Sequence, residues 1–306
     1  MLYIGKEVQD RMELLGLIVK EVADKTFLEE DVVAAIINNE ISLENIEEIV
    51  VNTPRGDVQI FRTNEDKIKI VEKASRRVKE KDLFSSSIKD GTLKIIDEKR
   101  NICFGFCFLS NITYEVYIPA SYQNKLSIKT TSGDIELNGE EESYQNVKLI
   151  SVSGDIKLKG KISTNNINMK TTSGDIEMNF LNSTSIEINS VSGDIDSRTI
   201  EGKETKINTT SGDIELEWIK SEVEVISVSG DVELDHFSPI GNSNFKTTSG
   251  EIEVMLDKKA SVKLHGDSVS GDIRFPNSES ILGSGENSIS FKTVSGDIKV
   301  RVIERK

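Results

Sequence analysis

The sequence predicts a mainly β protein, a β-solenoid of repeats of about 20 residues with a short α-helical cap at its N-terminus. Two observations predict the solenoid: a Ser-Gly-Asp turn recurs along the chain, and apolar residues alternate on both sides of each turn. The helical spacing of apolar residues before the first turn predicts the cap. The predicted domains are a helical segment over residues 1–45 and a β-solenoid over residues 46–306, with diverged coils over 46–125 and regular coils over 126–306.

The repeated turn consists of a glycine followed by an acidic residue. Successive glycines are separated by 21, 20, 19, 19, 18, 20, 21 and 25 residues, which is the period of a solenoid. Glycine reaches positive φ without a steric penalty, and aspartate or serine side chains can bond nearby N–H groups, so we interpret these residues as structural turn formers. The predicted turn residues are Gly133, Asp134, Gly154, Asp155, Gly174, Asp175, Gly193, Asp194, Gly212, Asp213, Gly230, Asp231, Gly250, Glu251, Gly271, Asp272, Gly296 and Asp297.

Apolar and polar side chains alternate along both strands of each repeat. Ile135 and Leu137 follow the first turn with Glu136 between them, and Leu126 and Ile128 precede it. Strict alternation is typical of strands with one buried face, and identical repeats bury that face by stacking on each other. We therefore predict four buried apolar columns, with a loop of variable length closing each coil.

A second rhythm concerns the residue two positions before the glycine. It alternates between threonine and valine, as in Thr131, Val152, Thr172 and Val191. Two interpretations remain open: an ancestral pair of short repeats, or a coil of about 40 residues with the two turn types on opposite edges. The short coil is favoured, because two strands, a turn and a loop fit into about 20 residues.

The first part of the chain has a helical pattern. Leu14, Ile18 and Val22 recur at helical spacing, and Thr26–Glu29 has the form of a capping box. We expect two short helices over residues 7 to about 40. They are interpreted as a cap over the open end of the solenoid, with a helix pair that docks a partner as the alternative.

From Ile46 onward the pattern changes to strands. Ile49, Val51, Gly56 and Val58 match the repeat template, so the solenoid is expected to start here. A loop or hairpin is expected over the charged and serine-rich residues 72–90. Further strands are predicted at Lys67–Val71, Thr92–Ile96 and Tyr114–Ile118.

The composition of the chain disfavours several classes of partner and ligand. The chain has 52 acidic and 38 basic residues and a net charge of −14, which argues against nucleic acid and against docking to anionic lipid. Cys103 and Cys107 lack the second ligand pair of a structural zinc site, and one aspartate per repeat is sparse for calcium, so we expect no metal or cofactor. No signal peptide and no membrane span is recognisable, so the chain is predicted to be cytoplasmic.

The repeats resemble a known family. The segments Tyr114–Pro119 and Leu126–Ile135, followed by the run of Ser-Gly-Asp repeats, are similar to the bacterial "putative adhesin" family of β-strand-repeat proteins, a domain of unknown function. The resemblance covers residues 46 to 304. It implies a β-solenoid and, for some members, an association with cell-envelope stress operons. It implies no catalytic residues.

Three functional hypotheses follow. The first is a non-enzymatic, adhesin-like binding scaffold whose partner is a protein or a cell-envelope component. The second is a self-assembling cytoplasmic polymer of the bactofilin type, because stacked strands can continue between molecules. The third is a carbohydrate-active β-helix enzyme with paired carboxylates, which is disfavoured because Trp218 is the only tryptophan and offers little surface for stacking a sugar. The oligomeric state is left open.

Overall fold

The computed structural model describes residues 39–74, 84–97, 112–276 and 280–303. The main elements in these ranges are β-strands, and they form one 22-stranded sheet. The predicted N-terminal helices lie outside the described residues, and so do both cysteines. The first described strand starts at Asn39, before the predicted start of the β domain at Ile46.

From Ile112 to Val302 the strands follow one another with short connections. In chain order they are β1 (Asn39–Ser42), β2 (Glu48–Thr53), β3 (Asp57–Thr63), β4 (Lys67–Ala74), β5 (Ser85–Lys89), β6 (Thr92–Ile96), β7 (Ile112–Pro119), β8 (Lys125–Thr130), β9 (Ile135–Leu137), β10 (Glu141–Ile150), β11 (Ile156–Lys170), β12 (Ile176–Asn189), β13 (Ile195–Asn208), β14 (Ile214–Ile226), β15 (Val232–Pro239), β16 (Ser243–Lys246), β17 (Ile252–Leu256), β18 (Val262–Ser270), β19 (Ile273–Arg274), β20 (Ile281–Leu282), β21 (Asn287–Ser295) and β22 (Ile298–Val302). The three further strands predicted from the sequence correspond to β4, β6 and β7, and β5 forms an antiparallel hairpin with β6.

Successive repeats pair in parallel. Ile176 lies between Ile156 and Ile195 in the sheet, so residues that occupy the same place in neighbouring repeats are direct partners. Each regular coil therefore contains one repeat of about 20 residues. The Thr172 N–H also donates to the carbonyl of Val152, so both turn types lie on one edge, and the interpretation as a coil of about 40 residues is wrong.

The far side of each coil is strand rather than loop. β11 runs for 15 residues and β12, β13 and β14 run similarly from one turn to the next. At a corner two consecutive residues face outward, as Arg198 and Thr199 do, and the next residue points inward again. This corner shifts the alternation by one residue. The segment that was predicted to be a variable loop is therefore strand, and it contributes a fifth column of buried residues. Its members are Ile162, Leu181, Ile200, Ile219 and Phe237.

The order of coils in the stack differs from the order of repeats in the chain at both ends. β22 pairs with β17 on one side and with β19 on the other, so the coil of Gly296 lies between those of Gly250 and Gly271. Near the N-terminus, β2 and β3 lie between the later strands β8 and β9 on one side and β6 and β7 on the other. Equivalent repeats offer the same pairing groups, so coils that are not consecutive in the chain can stack on each other.

The two ends of the stack are finished differently. At the N-terminal end, β4 pairs antiparallel with β7, β1 pairs antiparallel with β4, and β5 pairs antiparallel with β6. At the other end, β20 covers only the start of β18. The outer coil there leaves Val269 78%, Ile273 40% and Ile281 50% exposed. One end is thus covered by extra strands, whereas the other presents apolar side chains.

A half-buried arginine joins the N-terminal coils to the regular ones. The Arg62 guanidinium on β3 lies 3.5 Å from the Glu142 carboxylate, which is fully buried, and 4.3 Å from the centroid of the Tyr144 ring. It also donates hydrogen bonds to the backbone oxygens of Pro119, Tyr122 and Ser143. Most donors of the guanidinium therefore have protein partners, which offset the cost of removing the charge partly from water.

Candidate functional site

The predicted turn glycines form one row in which each glycine lies against the next. A Cβ added to Gly193 would lie 1.7 Å from the carbonyl oxygen of Gly174, a separation that no real Cβ adopts. Among the described glycines φ is positive only at Gly56, Gly91, Gly283 and Gly285. Positive φ is therefore the wrong explanation for the nine repeated turns. They contain glycine because neighbouring coils approach too closely for a side chain. In spatial order the row is Gly56, Gly133, Gly154, Gly174, Gly193, Gly212, Gly230, Gly250, Gly296 and Gly271.

The acidic residues after these glycines link neighbouring coils. The Asp194 carboxylate accepts a hydrogen bond from the Asp213 N–H at 2.9 Å, and the Asp175 carboxylate accepts one from the Asp194 N–H at 2.9 Å. The bend itself is closed by another side chain, since the Ser190 hydroxyl accepts from the Gly193 N–H at 3.0 Å. The same inter-coil bond joins Asp57 to Asp134, Asp134 to Asp155, Asp155 to Asp175, Asp213 to Asp231, Asp231 to Glu251 and Asp297 to Asp272. All the predicted turn residues thus meet on one edge, where they hold coils together.

A second row of carboxylates lies on the strand after the turn. Glu177, Asp196, Glu215 and Glu233 are in-register partners on successive coils, so they repeat at about 4.8 Å. Together with flanking residues they line an open groove of about 650 Å³. We call this row of four residues the acidic groove. Lys157 lies at one end of it, 2.9 Å from the Glu177 carboxylate.

Two carboxyl groups of the acidic groove have raised pKa values. Burial, followed by the neighbouring carboxylates Glu215, Asp194, Glu177 and Asp175, raises the pKa of Asp196. Burial and the nearby Asp235, Glu253, Glu215 and Glu251 raise the pKa of Glu233 in the same way. Like charges at this spacing repel each other, and a cationic partner would relieve that repulsion. Within the described ranges no group of three or more histidine, cysteine, aspartate or glutamate side chains is arranged to hold a metal ion.

An aromatic column runs beside the acidic groove at the corner of the coil. Phe180, Thr199, Trp218 and His236 are in-register partners on four successive coils. Trp218 is 47% exposed and stacks on His236, with ring centroids 3.7 Å apart and the ring planes 17° from parallel. A cavity of about 440 Å³ lies beside this column and is lined by residues that include Thr199, Trp218, Lys220 and His236.

Sequence reasoning missed this column, although a signal for it exists. Phe180, Thr199, Trp218 and His236 each lie six residues after a turn glycine. Aligning the repeats on their glycines would have shown that this position carries aromatic rings in three of the four repeats. Counting the tryptophans of the chain could not show this. The Nδ1 atom of His236 is shielded from solvent and has no hydrogen-bond partner within the described part of the chain.

The fold and its surface rows define a repeat protein whose solenoid-like β stack presents regular columns of side chains. The chain belongs to the family described as Toastrack DUF4097, which matches residues 46–301. No curated protein matches the chain. Among the residues with a described structure, no helix has the length and apolar character needed to cross a membrane.

Solved structures share this fold. A "putative adhesin" from Parabacteroides distasonis ATCC 8503 has a TM-score of 0.54 and 15% identity, with 88% of this chain and 98% of that chain covered. A "putative lipid binding protein" from the same strain has a TM-score of 0.51 and 16% identity, with 88% and 97% covered. A "putative adhesin" from Parabacteroides merdae ATCC 43184 has a TM-score of 0.50 and 12% identity, with 88% and 96% covered. At these identities the similarity concerns the fold alone.

Proposed function

We propose that this chain is a non-enzymatic, adhesin-like scaffold that binds a protein or another component of the cell envelope through the acidic groove. The observation that carries the proposal is the row of carboxylates on four successive coils, Glu177, Asp196, Glu215 and Glu233, which line one open groove. Like charges in one row repel each other, so binding of a cationic surface lowers the free energy of the row. The names of the related structures, adhesins and a lipid-binding protein, support an envelope component as the partner.

The parallel stack suits this role because it holds the row rigid. Glu177 and Glu215 flank Asp196 as direct strand partners, so their spacing is set by backbone hydrogen bonds. A partner with cationic groups at a similar repeat therefore meets preorganised charges and orders few side chains of the scaffold. We expect the association to weaken as salt concentration rises, because the charges are exposed to solvent.

Co-sedimentation of the purified chain with isolated bacterial envelopes tests the proposal. The triple variant Asp196→Asn, Glu215→Gln and Glu233→Gln is compared with the wild type at low and high salt. A matched control, Glu44→Gln, Glu65→Gln and Glu286→Gln, changes the net charge equally at carboxylates outside the groove. We expect the groove variant to lose most of the sedimented fraction and the control to keep it. Equal losses, or no sedimentation of the wild type, would refute the proposal.

The non-enzymatic part has its own test. A carbohydrate-active enzyme would need an acid and a base on opposite sides of a bound sugar, whereas the groove carboxylates lie in one line along the stack. We expect no new reducing ends when the wild type is incubated with a panel of glycans. Turnover that Glu215→Gln abolishes would show the chain to be an enzyme.

Self-assembly is the second candidate, and the exposed end coil favours it. Val269, Ile273 and Ile281 leave apolar surface at the end that carries β19, whereas antiparallel strands cover the opposite end. Pairing through the apolar end would join two copies rather than build a filament of the bactofilin type. Electron microscopy over a concentration series separates the outcomes: paired rods support dimers, filaments support a polymer, and single rods at all concentrations exclude both.

The cytoplasmic location stays a prediction.

A further inference from the structure

The rim of the acidic groove carries the single tryptophan of the chain. Glu217 lines the same open groove, and Trp218 follows it at the corner of the coil, where both side chains face outward. The Trp218 indole N–H donates a hydrogen bond to the Glu217 carboxylate at 3.2 Å. A partner that lies in the groove therefore meets an aromatic ring directly beside a carboxylate.

One face of the indole is covered and the other is accessible. The His236 ring, on the next coil, stacks on Trp218 with ring centroids 3.7 Å apart and holds the indole from one side. Thr199, the strand neighbour on the other side, has a side chain too short to cover an indole, and Trp218 is 47% exposed. Trp218 therefore offers one flat, electron-rich face that is oriented before a partner binds.

The charges around this face favour a cation. Six of the side chains that line the groove are carboxylates and three are cationic. Arg198 and Lys220 lie near Trp218 in the sheet, and each has a carboxylate beside it. The Arg198 guanidinium lies 3.6 Å from the Glu217 carboxylate, and Lys220 is the strand partner of Glu201. The excess of carboxylates in the groove is therefore left for the cations of a partner.

We infer that Trp218 and Glu217 bind the guanidinium group of an arginine on a protein partner that the acidic groove attracts. A guanidinium is flat, always charged and more weakly hydrated than an ammonium, so it can stack on the indole. The indole N–H uses one of about four acceptor positions of the Glu217 carboxylate, so further donors can bond to it. A lysine ammonium is compact and strongly hydrated and gains less from the ring. The acidic groove thus attracts any cationic segment, whereas Trp218 selects arginine.

This inference rests on the proposed function, because it makes the partner a protein and names the group that the partner presents. The two ideas fail separately. If the wild type sediments with envelopes but binds arginine and lysine peptides equally, the role of Trp218 is refuted and the groove proposal stands. If the arginine peptide is preferred but no sedimentation with envelopes occurs, the proposed function fails and the arginine site stands.

Trp218 reports its own occupancy, because it is the only tryptophan in the chain. The full chain is titrated at low salt with three capped pentapeptides, in which two arginines, two lysines or two citrullines alternate with glycine. Citrulline has the flat shape of arginine without its charge. We expect the arginine peptide to change the tryptophan emission saturably and to bind about two- to fivefold more tightly than the lysine peptide. We expect no binding of the citrulline peptide.

Three results of this titration would overturn the inference. The first is equal affinity for the arginine and lysine peptides. The second is tryptophan emission that does not change when the arginine peptide saturates the chain. The third is a citrulline peptide that binds as tightly as the arginine peptide, because the charge would then have no part in recognition.

Variants separate the ring from the charges of the groove. Trp218→Leu keeps an apolar residue on the strand but removes the aromatic face, so we expect calorimetry to show equal affinities for the arginine and lysine peptides. Trp218→Phe should restore part of the preference. The groove variant Asp196→Asn, Glu215→Gln and Glu233→Gln should weaken the binding of both peptides and keep their ratio.

The control variant is Ile226→Ala, at the other end of the strand that carries Trp218, and it should keep the wild-type ratio of affinities. Thermal unfolding checks that each variant is folded. A preference for arginine that persists in Trp218→Leu would overturn the inference.

Discussion

The middle of the stack and its two ends consist of the same repeat, but different contacts hold them in place. In the middle, each glycine lies on the previous one and each aspartate accepts the next N–H, as at Gly193 and Asp194. At the N-terminal end, the Arg62–Glu142 ion pair and antiparallel strands are added. At the other end, the coil of Gly271 stacks on that of Gly296 and has a largely open outer side.

This difference shows what a repeat specifies and what it does not. The turn dictates how closely two coils approach, but it does not dictate which two coils meet. The turn of Gly250 packs against that of Gly296, which is 46 residues further on, although Gly271 belongs to the next repeat in the chain. The choice depends on residues outside the turn, such as the longer connection between Gly271 and Gly296 and its antiparallel strand β20. Residues at the ends of the stack therefore determine which coils pair, whereas the repeated turns hold paired coils together.

The largest effect is expected from filling the glycine row in the middle. In Gly193→Ala the new Cβ would collide with the backbone of Gly174, and neither neighbouring coil can move away without breaking its own row. We expect the free energy of unfolding in urea to fall by about 4 kcal/mol or more, in the range that marks an exceptional site.

The same substitution at the end gives the matched comparison. Gly271→Ala has a similar collision, 2.0 Å from the Gly296 oxygen, but its coil has one neighbour and can detach. We expect a cost of about 1–2 kcal/mol for it, and about 0.5 kcal/mol or less for Gly241→Ala, whose new Cβ would meet the Glu222 side chain rather than backbone atoms. Equal costs at Gly193 and Gly271 would show that the ends are as tightly held as the middle.

The second effect concerns the ion pair at the N-terminal end. Arg62→Met keeps the apolar stem but leaves the Glu142 carboxylate, which is fully buried, without its cation. We expect chemical denaturation to show a loss of about 3 kcal/mol. Arg198→Met is the control, because its ion pair with Glu217 is exposed and should contribute about 0–1 kcal/mol. A loss for Arg62→Met no larger than the control would mean that this pair does not hold the end.

The aspartate row gives a smaller effect that again differs between middle and end. Asp194→Ala removes the acceptor for the Asp213 N–H, and we expect a loss of about 1 kcal/mol because water can replace part of this exposed bond. Asp272 lies in the outermost coil, where its carboxylate binds Arg274 of the same coil, so Asp272→Ala should cost about 0.3 kcal/mol or less. Thermal unfolding followed by circular dichroism measures both, and Asp194→Asn, which keeps the acceptor, should stay near the wild type.

Sequence reasoning found the repeat and its buried face because both have a strict period. Ile176 and Ile195 are partners in the sheet, as expected for residues in equivalent positions of a repeat. The order of the end coils was not predicted, since the turns at Gly271 and Gly296 have the same sequence, Val-Ser-Gly-Asp-Ile. The fifth column was missed because the corner at Arg198 and Thr199 interrupts the alternation. The role of glycine was misassigned because the close approach of two coils leaves no mark within one repeat.

The smallest expected effect tests whether the acidic groove stores repulsion. Burial and neighbouring carboxylates raise the pKa of Asp196 above its ordinary value of 3.8. A carboxyl group whose pKa is higher in the folded chain than in the unfolded chain binds its proton more tightly when folded. Its contribution therefore favours folding below the unfolded pKa of 3.8 and is lost as pH rises through the folded pKa. At neutral pH the ionised Asp196 is then destabilising.

We expect Asp196→Asn to raise the free energy of unfolding at neutral pH, on the order of 0.5 kcal/mol because the side chain is largely exposed and screened by solvent. The gain should shrink as pH falls toward 3.8, where the native carboxyl becomes protonated, and it should also shrink in high salt. Urea unfolding at several pH values measures the difference, with Glu44→Gln as a carboxylate control outside the groove. A gain that does not change with pH or salt would mean that packing, and not repulsion along the row, sets the stability of this face, and the electrostatic basis of the proposed binding would then be lost.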